Sequence, residues 1–210
     1  MKTIAITGGY GFLGWHTAAR LRATQRVNVL RLGREDFRDS EILAKRLRDV
    51  DTILHFAGVN RADSEGAVEQ GNRSIAATLA GAIARNAAPV HVVNANSVQS
   101  RGDSAYGLGK AGSAELARKA AKQVGGTLQD VVLPNLFGEH GLPAYNSFVA
   151  TFCHEVAAGR RPRVSGDREI PLLHAQAAAQ VIIDAAADRE DGMVEPLGDA
   201  HSVSEVLEMI

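Results

Sequence analysis

Five short runs dominated by β-branched and other apolar side chains recur along the chain: KTIAIT (2–7), RVNVLRL (26–32), DTILHFAG (51–58), VHVVNAN (90–96) and LQDVVLP (128–134). Runs of this length, bounded by glycine, proline or charged residues, predict strands. The stretches between them are alanine-rich with helical periodicity and predict helices over 12–24, 40–49, 66–87 and 105–124. Strands that are apolar on both faces and alternate with helices build a parallel sheet covered on both sides. The expected fold class is therefore α/β, a doubly wound parallel sheet.

Beyond Pro134 the pattern loosens into NLFGEHGLPAYNS, followed by a helix near 146–158, the basic turn GRRPR, a strand near 168–173 and helices near 175–187 and 202–209. These elements are expected to form a small cap on the end of the sheet. With 210 residues, the chain is read as a single domain over 1–210 in which 135–210 contribute the cap.

Charge and composition narrow the ligand class. The 23 basic and 24 acidic residues give a net charge of −1 and fall singly or in short pairs, so no broad field for nucleic acid or acidic lipid is expected. A small molecule is the better default. The single cysteine, Cys153, forms no intramolecular disulfide and no thiolate cluster, and the seven histidines are not at metal-ligand spacing. No metal is expected. The apolar run in MKTIAITGG is too short for a signal peptide and no later run approaches a membrane span, so a soluble cytoplasmic protein is expected.

The chemistry begins at TGGYGFLG, which follows the first strand and opens the first helix. Gly8 permits a tight turn, Gly11 lets backbone approach a pyrophosphate, and Gly14 allows close packing of helix on strand. The helix N-terminus then offers free N–H groups to phosphates. The position of the triplet at the first strand-to-helix junction favours the dinucleotide fingerprint of the Rossmann fold over its alternative, a turn needed only for packing. At the end of the second strand, LRLGRED places Arg31 within the strand and Arg34 just past it, while Glu35 and Asp36 come late for a ribose contact. Arg34 therefore favours a 2′-phosphate and NADP(H), with NAD(H) the alternative, and Asp36 and Phe37 are candidates to border the adenine.

Ser97 ends the fourth strand, nine residues before Tyr106, and Lys110 follows Tyr106 at the spacing that puts two side chains on one helix face. A free tyrosine, with a pKa of about 10, is only about 0.1% phenolate at neutral pH. Lowering that pKa by about three units takes about 4 kcal/mol, roughly what one ammonium at about 4 Å supplies at an effective dielectric near 20. Ser97, Tyr106 and Lys110 thus fit a carbonyl hydrogen-bonder, an acid/base and its tuning cation. Asn96, beside Ser97, could equally face the substrate oxygen.

In TGGYGFLG, DTILHFAG, Asn72, Ser97 and YGLGK the chain resembles the extended short-chain dehydrogenase/reductases. HFAGVNR, PNLFG and YNSFVATFCHEVA are more narrowly similar to the reductase domain of bacterial bifunctional enzymes that make UDP-N-acetyl-L-fucosamine for capsule and O-antigen. The resemblance implies NADPH-dependent reduction of a keto group on a UDP-linked deoxy amino sugar, and a homodimer through the helices at 66–87 and 105–124. It implies a phosphate loop of Gly8, Gly9, Tyr10, Gly11, Phe12, Leu13 and Gly14. His55, Ala57 and Gly58 would line the cofactor, Asn72 would support the active-site helix beside it, and Pro134 would border the nicotinamide. Asn60 and Asn135 would face substrate.

Such enzymes carry a C-terminal cupin domain that epimerises before reduction, and no cupin domain is expected here. LLHAQAAAQ stands where the family usually ends a stretch in paired aspartates. From the cap, Tyr145, Asn146 and Arg163 are candidate sugar or diphosphate contacts, with turn, packing or solvated roles as the alternatives for them and for Arg161. Trp15 reads as helix-to-sheet packing. The competing functions are an NAD-dependent nucleotide-sugar epimerase, against which Arg34 argues, and a non-catalytic cofactor-binding regulatory module, against which the intact Ser97, Tyr106 and Lys110 argue. A 4,6-dehydratase is disfavoured because Val98 and Gln99 follow Ser97 where an acidic pair would stand.

Overall fold

The computed structural model describes all residues, Met1 to Ile210. The main sheet is built from β1 (Thr3–Thr7), β2 (Asn28–Leu32), β3 (Thr52–His55), β4 (His91–Ser97), β5 (Thr127–Leu133) and β8 (Gly192–Val194), in the order β2-β1-β3-β4-β5-β8 with every pair parallel. Helices α1 (Phe12–Thr24) and α6 (Ala175–Asp188) cover one face, where Ile4, Ile6, Leu54 and Val93 meet Leu21 and Ile182. Helices α2 (Ser40–Arg46), α3 (Glu65–Asn86) and α4 (Ala105–Gln123) cover the other, packing Leu43, Leu79 and Ala117 on Ala5, Ile53, Val92 and Leu128. The doubly wound architecture is as the hydrophobic pattern predicts.

Three strands lie outside that sheet. β6 (Asn135–Phe137), β7 (Glu169–His174) and β9 (Asp199–Ser202) form a second sheet, β6-β7-β9, packed on α5 (Phe148–Ala157) and α7 (Val203–Met209) through Ile170, Leu172 and Val206. β7 was expected. β6, β8 and β9 are three or four residues long and, unlike the equally short β3, lie outside any longer apolar run.

The chain leaves β1 to one side for β2 and returns to the other side for β3. The strand order therefore reverses between β1 and β3, and the carboxyl ends of β1 to β5 bring the glycine loop, Gly33, Ala57, Ser97 and Pro134 to one edge. A crevice for a ligand is expected at that reversal.

Candidate active site

The glycine loop is shaped by its own backbone. Gly8 lies at φ +63°, and a Cβ there would stand 2.8 Å from the Ala57 nitrogen. A Cβ at Gly9 would stand 2.8 Å from the Ile6 carbonyl oxygen, and one at Gly14 would run into the Gly8 carbonyl oxygen. Gly11 differs: its Cβ would meet only the Gly8 oxygen, at 3.3 Å. Internal packing therefore presses far less on Gly11, and a side chain there would fill the exposed approach to the α1 N-terminus. Gly11 caps α1 with no side-chain hydrogen bond, and the first turn carries no acidic residue. The residues present fit a dinucleotide pyrophosphate, whose oxygens the orphan N–H groups of that turn would satisfy.

Around this loop the two arginines differ. Arg31 donates from Nε to the Gly9 carbonyl at 2.7 Å, and its guanidinium lies 4.2 Å from the centroid of the exposed Tyr10 ring, so it braces the loop from β2. Arg34 opens a short 3-10 turn, exposed and without an ion-pair partner. Asp36 is turned inward: its Oδ2 accepts from the Gly33 N–H at 2.8 Å and its Oδ1 lies 3.5 Å from Arg46. Phe37 is half-buried against the core between α2 and α3.

A row of polar side chains crosses four strands on the face beneath α3 and α4. Thr7, His55, Asn94 and Asp130 are register partners on β1, β3, β4 and β5. Thr7 Oγ1 accepts from the N–H groups of Phe56 at 3.1 Å and Ala57 at 3.2 Å, so its hydroxyl donates to His55 Nδ1 at 2.7 Å. That bond leaves the ring proton on Nε2, which has no protein partner, as Asn94 Oδ1 has none. Complete burial, aided by the charge of Lys110, pushes the His55 pKa down to about 3. The imidazole is neutral.

Asn72, buried on α3, pins the loop after β3. Its Oδ1 accepts from the Val59 N–H at 3.1 Å, and its Nδ2 donates to the Val59 and Val68 carbonyls at 2.7 and 2.9 Å. Gly109 of α4 packs directly on it, where a Cβ would meet the Asn72 Cβ at 3.1 Å. Small residues at the start of α4 are thus a packing requirement. Gly107 is pressed so close to the Gln99 carbonyl that a Cβ would collide with it. Ser104 caps the helix, accepting from the Gly107 N–H at 3.1 Å. The first turn of α4, with Tyr106, is thereby held against the end of β4.

Lys110, buried, donates from Nζ to the Ala95 carbonyl, two residues before Ser97. Burial pushes its pKa down to about 8 against the opposing pull of Asp130. The Tyr106 phenol, half-buried, is pushed up by burial, with no lowering contribution from the lysine. The Lys110 ammonium is turned onto the strand carbonyl, and no hydrogen bond joins it to the Tyr106 hydroxyl. Asn96 and Ser97 differ in how their side chains are engaged. Asn96 Nδ2 donates to Asp130 Oδ2 at 2.8 Å and its Oδ1 accepts from the Ser97 N–H at 2.9 Å, whereas the Ser97 hydroxyl is half-buried and accepts only from the Gln99 N–H at 3.2 Å.

Pro134 is buried at the end of β5, and Asn135 is exposed beside it. Gly58 and Asn60 are also exposed, on the loop after β3. Tyr145 and Asn146 are exposed on the loop before α5, and Arg163 is exposed in the turn before β7. Trp15 does not pack on the sheet: Gly14, Ala18 and Leu21 take that face of α1, and Trp15 stands edge-on to His140 at 4.5 Å between centroids. Sequence reasoning missed Thr7, Arg61, Asn94 and Asp130. The signal for the last two was present, since polar residues inside the strands VHVVNAN and LQDVVLP lie on a buried face.

No helix is long and apolar enough to cross a membrane. The chain is 30% identical over 180 residues to the UDP-2-acetamido-2,6-beta-L-arabino-hexul-4-ose reductase of Pseudomonas aeruginosa, a match covering 86% of this chain and 45% of the relative. It thus spans about half the length of that relative. Among solved structures it is similar to the capsular polysaccharide assembling protein CapF of Staphylococcus aureus (TM-score 0.79, 27% identity, 99% of this chain and 56% of that chain). It shares the fold of a UDP-N-acetylglucosamine 4-epimerase from Bacillus cereus (TM-score 0.86, 20% identity, 99% and 80%). Residues 4–195 match the NAD dependent epimerase/dehydratase family, and with the glycine loop, the strand reversal and the Ser97–Tyr106–Lys110 edge they show that the chain belongs to it.

Proposed function

We propose that the chain carries an NADP(H)-dependent reductase activity toward a keto group of a nucleotide-linked sugar, with Tyr106 as the proton donor. The observation that carries this reading is the convergence of Ser97, Tyr106 and Lys110 on the same sheet edge as the glycine loop. The similarity to a hexulose 4-reductase favours a UDP-linked 4-keto-6-deoxy amino sugar. The likeness to CapF favours a place in capsule synthesis.

The residues that would hold the cofactor are Gly8 to Gly14 at the pyrophosphate, Arg34 at a 2′-phosphate, Phe37 near the adenine, and Ala57, Gly58 and Pro134 toward the nicotinamide. The bound cofactor supplies hydride donation. Tyr106 is suited to the other half of a reduction, because burial keeps the phenol protonated and able to give its proton to the carbonyl oxygen. The Ser97 hydroxyl accepts one hydrogen bond and can turn its own proton to that oxygen. Lys110, charged below about pH 8, holds positive charge beneath the first turn of α4 as negative charge develops on the oxygen. Asn60, Asn135, Tyr145, Asn146 and Arg163 would contact the nucleotide sugar, and two copies would pair over α3 and α4.

The test is NADPH-dependent reduction of UDP-linked 4-keto sugars. The unaltered chain is expected to turn over with NADPH preferred to NADH, and Tyr106→Phe to lose about 10²- to 10⁴-fold in kcat. Turnover that survives Tyr106→Phe would sink the mechanism, and a preference for NADH would overturn the role of Arg34.

A further inference from the structure

Asp130 sits inside β5 between Gln129 and Val131, itself buried, and opposite the buried Asn94 of β4. A carboxylate in a sheet interior is costly unless its oxygens are satisfied, and an apolar residue of similar volume is often the more stable choice. Here both oxygens are satisfied, each by a different asparagine: Asn94 Nδ2 donates to Oδ1 at 2.6 Å and Asn96 Nδ2 donates to Oδ2 at 2.8 Å. The Asn96 amide is thereby oriented with its oxygen on the Ser97 N–H, at 2.9 Å. Two hydrogen bonds link the buried carboxylate to the backbone of a residue that the proposed reduction places at the substrate oxygen.

We propose that Asp130 is a positioning residue for that reduction: by holding the Asn96 amide it fixes the backbone at Ser97, and it sets a negative charge beneath the lysine of α4. This inference rests on the reductase reading above. Asp130 is buried with both oxygens on asparagine amides, and it makes no direct ion pair with Lys110, whose Nζ is taken by the Ala95 carbonyl. Its pull on the lysine acts through space and opposes the effect of burial. The other titratable groups facing Lys110 are His55 from β3, which is neutral, and Tyr106 on α4 itself; α3 presents Asn72, which carries no charge.

The carboxylate accepts from both asparagine amides as they stand. It offers an oxygen to each of two amide donors, whereas an amide in its place offers one oxygen and one NH2. In Asp130→Asn one of Asn94 and Asn96 must turn, and the charge under Lys110 is lost. Exchanging the two groups, Asp130→Asn with Asn96→Asp, restores every donor–acceptor pair and keeps one carboxylate at this level of the sheet.

The experiment compares the unaltered chain, Asp130→Asn and the exchange variant by steady-state reduction of the 4-keto nucleotide sugar with NADPH, and by NMR of the Ser97 amide and of the Lys110 side chain. Asp130→Asn is expected to lower kcat about 10- to 100-fold with little change in the KM for NADPH. It is also expected to move the alkaline limb of the pH profile and the Lys110 titration to lower pH, and to shift the Ser97 amide resonance. The exchange variant is expected to recover kcat to within about fivefold and to return the Ser97 resonance toward its original position. A folded Asp130→Asn chain with turnover within twofold and an unmoved lysine titration overturns the proposal. If Asp130→Asn does not fold, the exchange variant decides: folded and inactive, it overturns the proposal; folded and active, it supports it. If the unaltered chain reduces no keto sugar, the reductase reading fails, while the lysine titration and the Ser97 resonance still decide what Asp130 holds in place.

Discussion

At the scale of single residues, the burial of His55 has a cost that depends on pH. Its pKa is pushed down to about 3 from the ordinary 6.5, so between those values the unfolded chain binds a proton that the folded chain does not. Stability is therefore expected to fall as pH drops below 6.5, with this residue adding a slope of at most about 1.4 kcal/mol per pH unit. Urea unfolding at pH 7 and pH 4.5 measures it. His55→Asn keeps an acceptor for the Thr7 hydroxyl and is expected to be less stable at pH 7 but to lose less on acidification. An equal acid loss in both chains would assign the slope to other groups. A strand histidine was legible in the sequence only as a residue in a core or beside a cofactor, since its tautomer is set by Thr7, 48 positions away, and its charge by burial that only the assembled sheet creates.

At the scale of elements, the glycine loop separates two roles that a motif merges. Gly14→Ala places a Cβ against the Gly8 carbonyl and is expected to destabilise the chain by about 1–3 kcal/mol and to abolish cofactor binding. Gly11→Ala meets only the Gly8 oxygen at 3.3 Å, so it is expected to leave the melting temperature within a few degrees while weakening NADPH binding at least tenfold. Thermal melts paired with NADPH titration check both, and a Gly11→Ala chain that binds NADPH normally would mean that the pyrophosphate does not approach there. The loop, β1 to β5 and the helices were legible because each apolar run, helical repeat or glycine motif stands out from its borders. β6, β8 and β9 were not, because their pairing is set by partners in space. In the candidate site, TGGYGFLG, Ser97, Tyr106 and Lys110 stood out as motifs. The Thr7–His55–Asn94–Asp130 row did not, because it exists only once β1, β3, β4 and β5 are in register.

At the scale of the whole molecule, the large sheet and the part built on β6, β7 and β9 are joined on two sides of the carboxyl edge. On one side, His16 of α1 bonds the Glu139 carbonyl through Nε2 at 2.8 Å and Gln176 of α6 through Nδ1 at 2.9 Å. On the other, Arg61 reaches from the loop that Asn72 pins and donates to the Ala144 carbonyl at 3.2 Å, its guanidinium 5.1 Å from the Tyr145 ring centroid. Ala144 is held in the left-handed region at φ +53° by its own N–H bond to Thr151 of α5, at 2.9 Å. The first contact is buried on α1, but the second is exposed and links loops that flank the proposed sugar site. Arg61→Ala removes a charge-assisted bond worth about 1 kcal/mol at an exposed position, without touching the glycine loop. The expected result is a KM for the nucleotide sugar raised about fivefold, with NADPH affinity within twofold of the unaltered chain. Should NADPH affinity fall in parallel, the arginine would be holding the cofactor side of the crevice, and the loop before α5 would have no part in gripping the sugar.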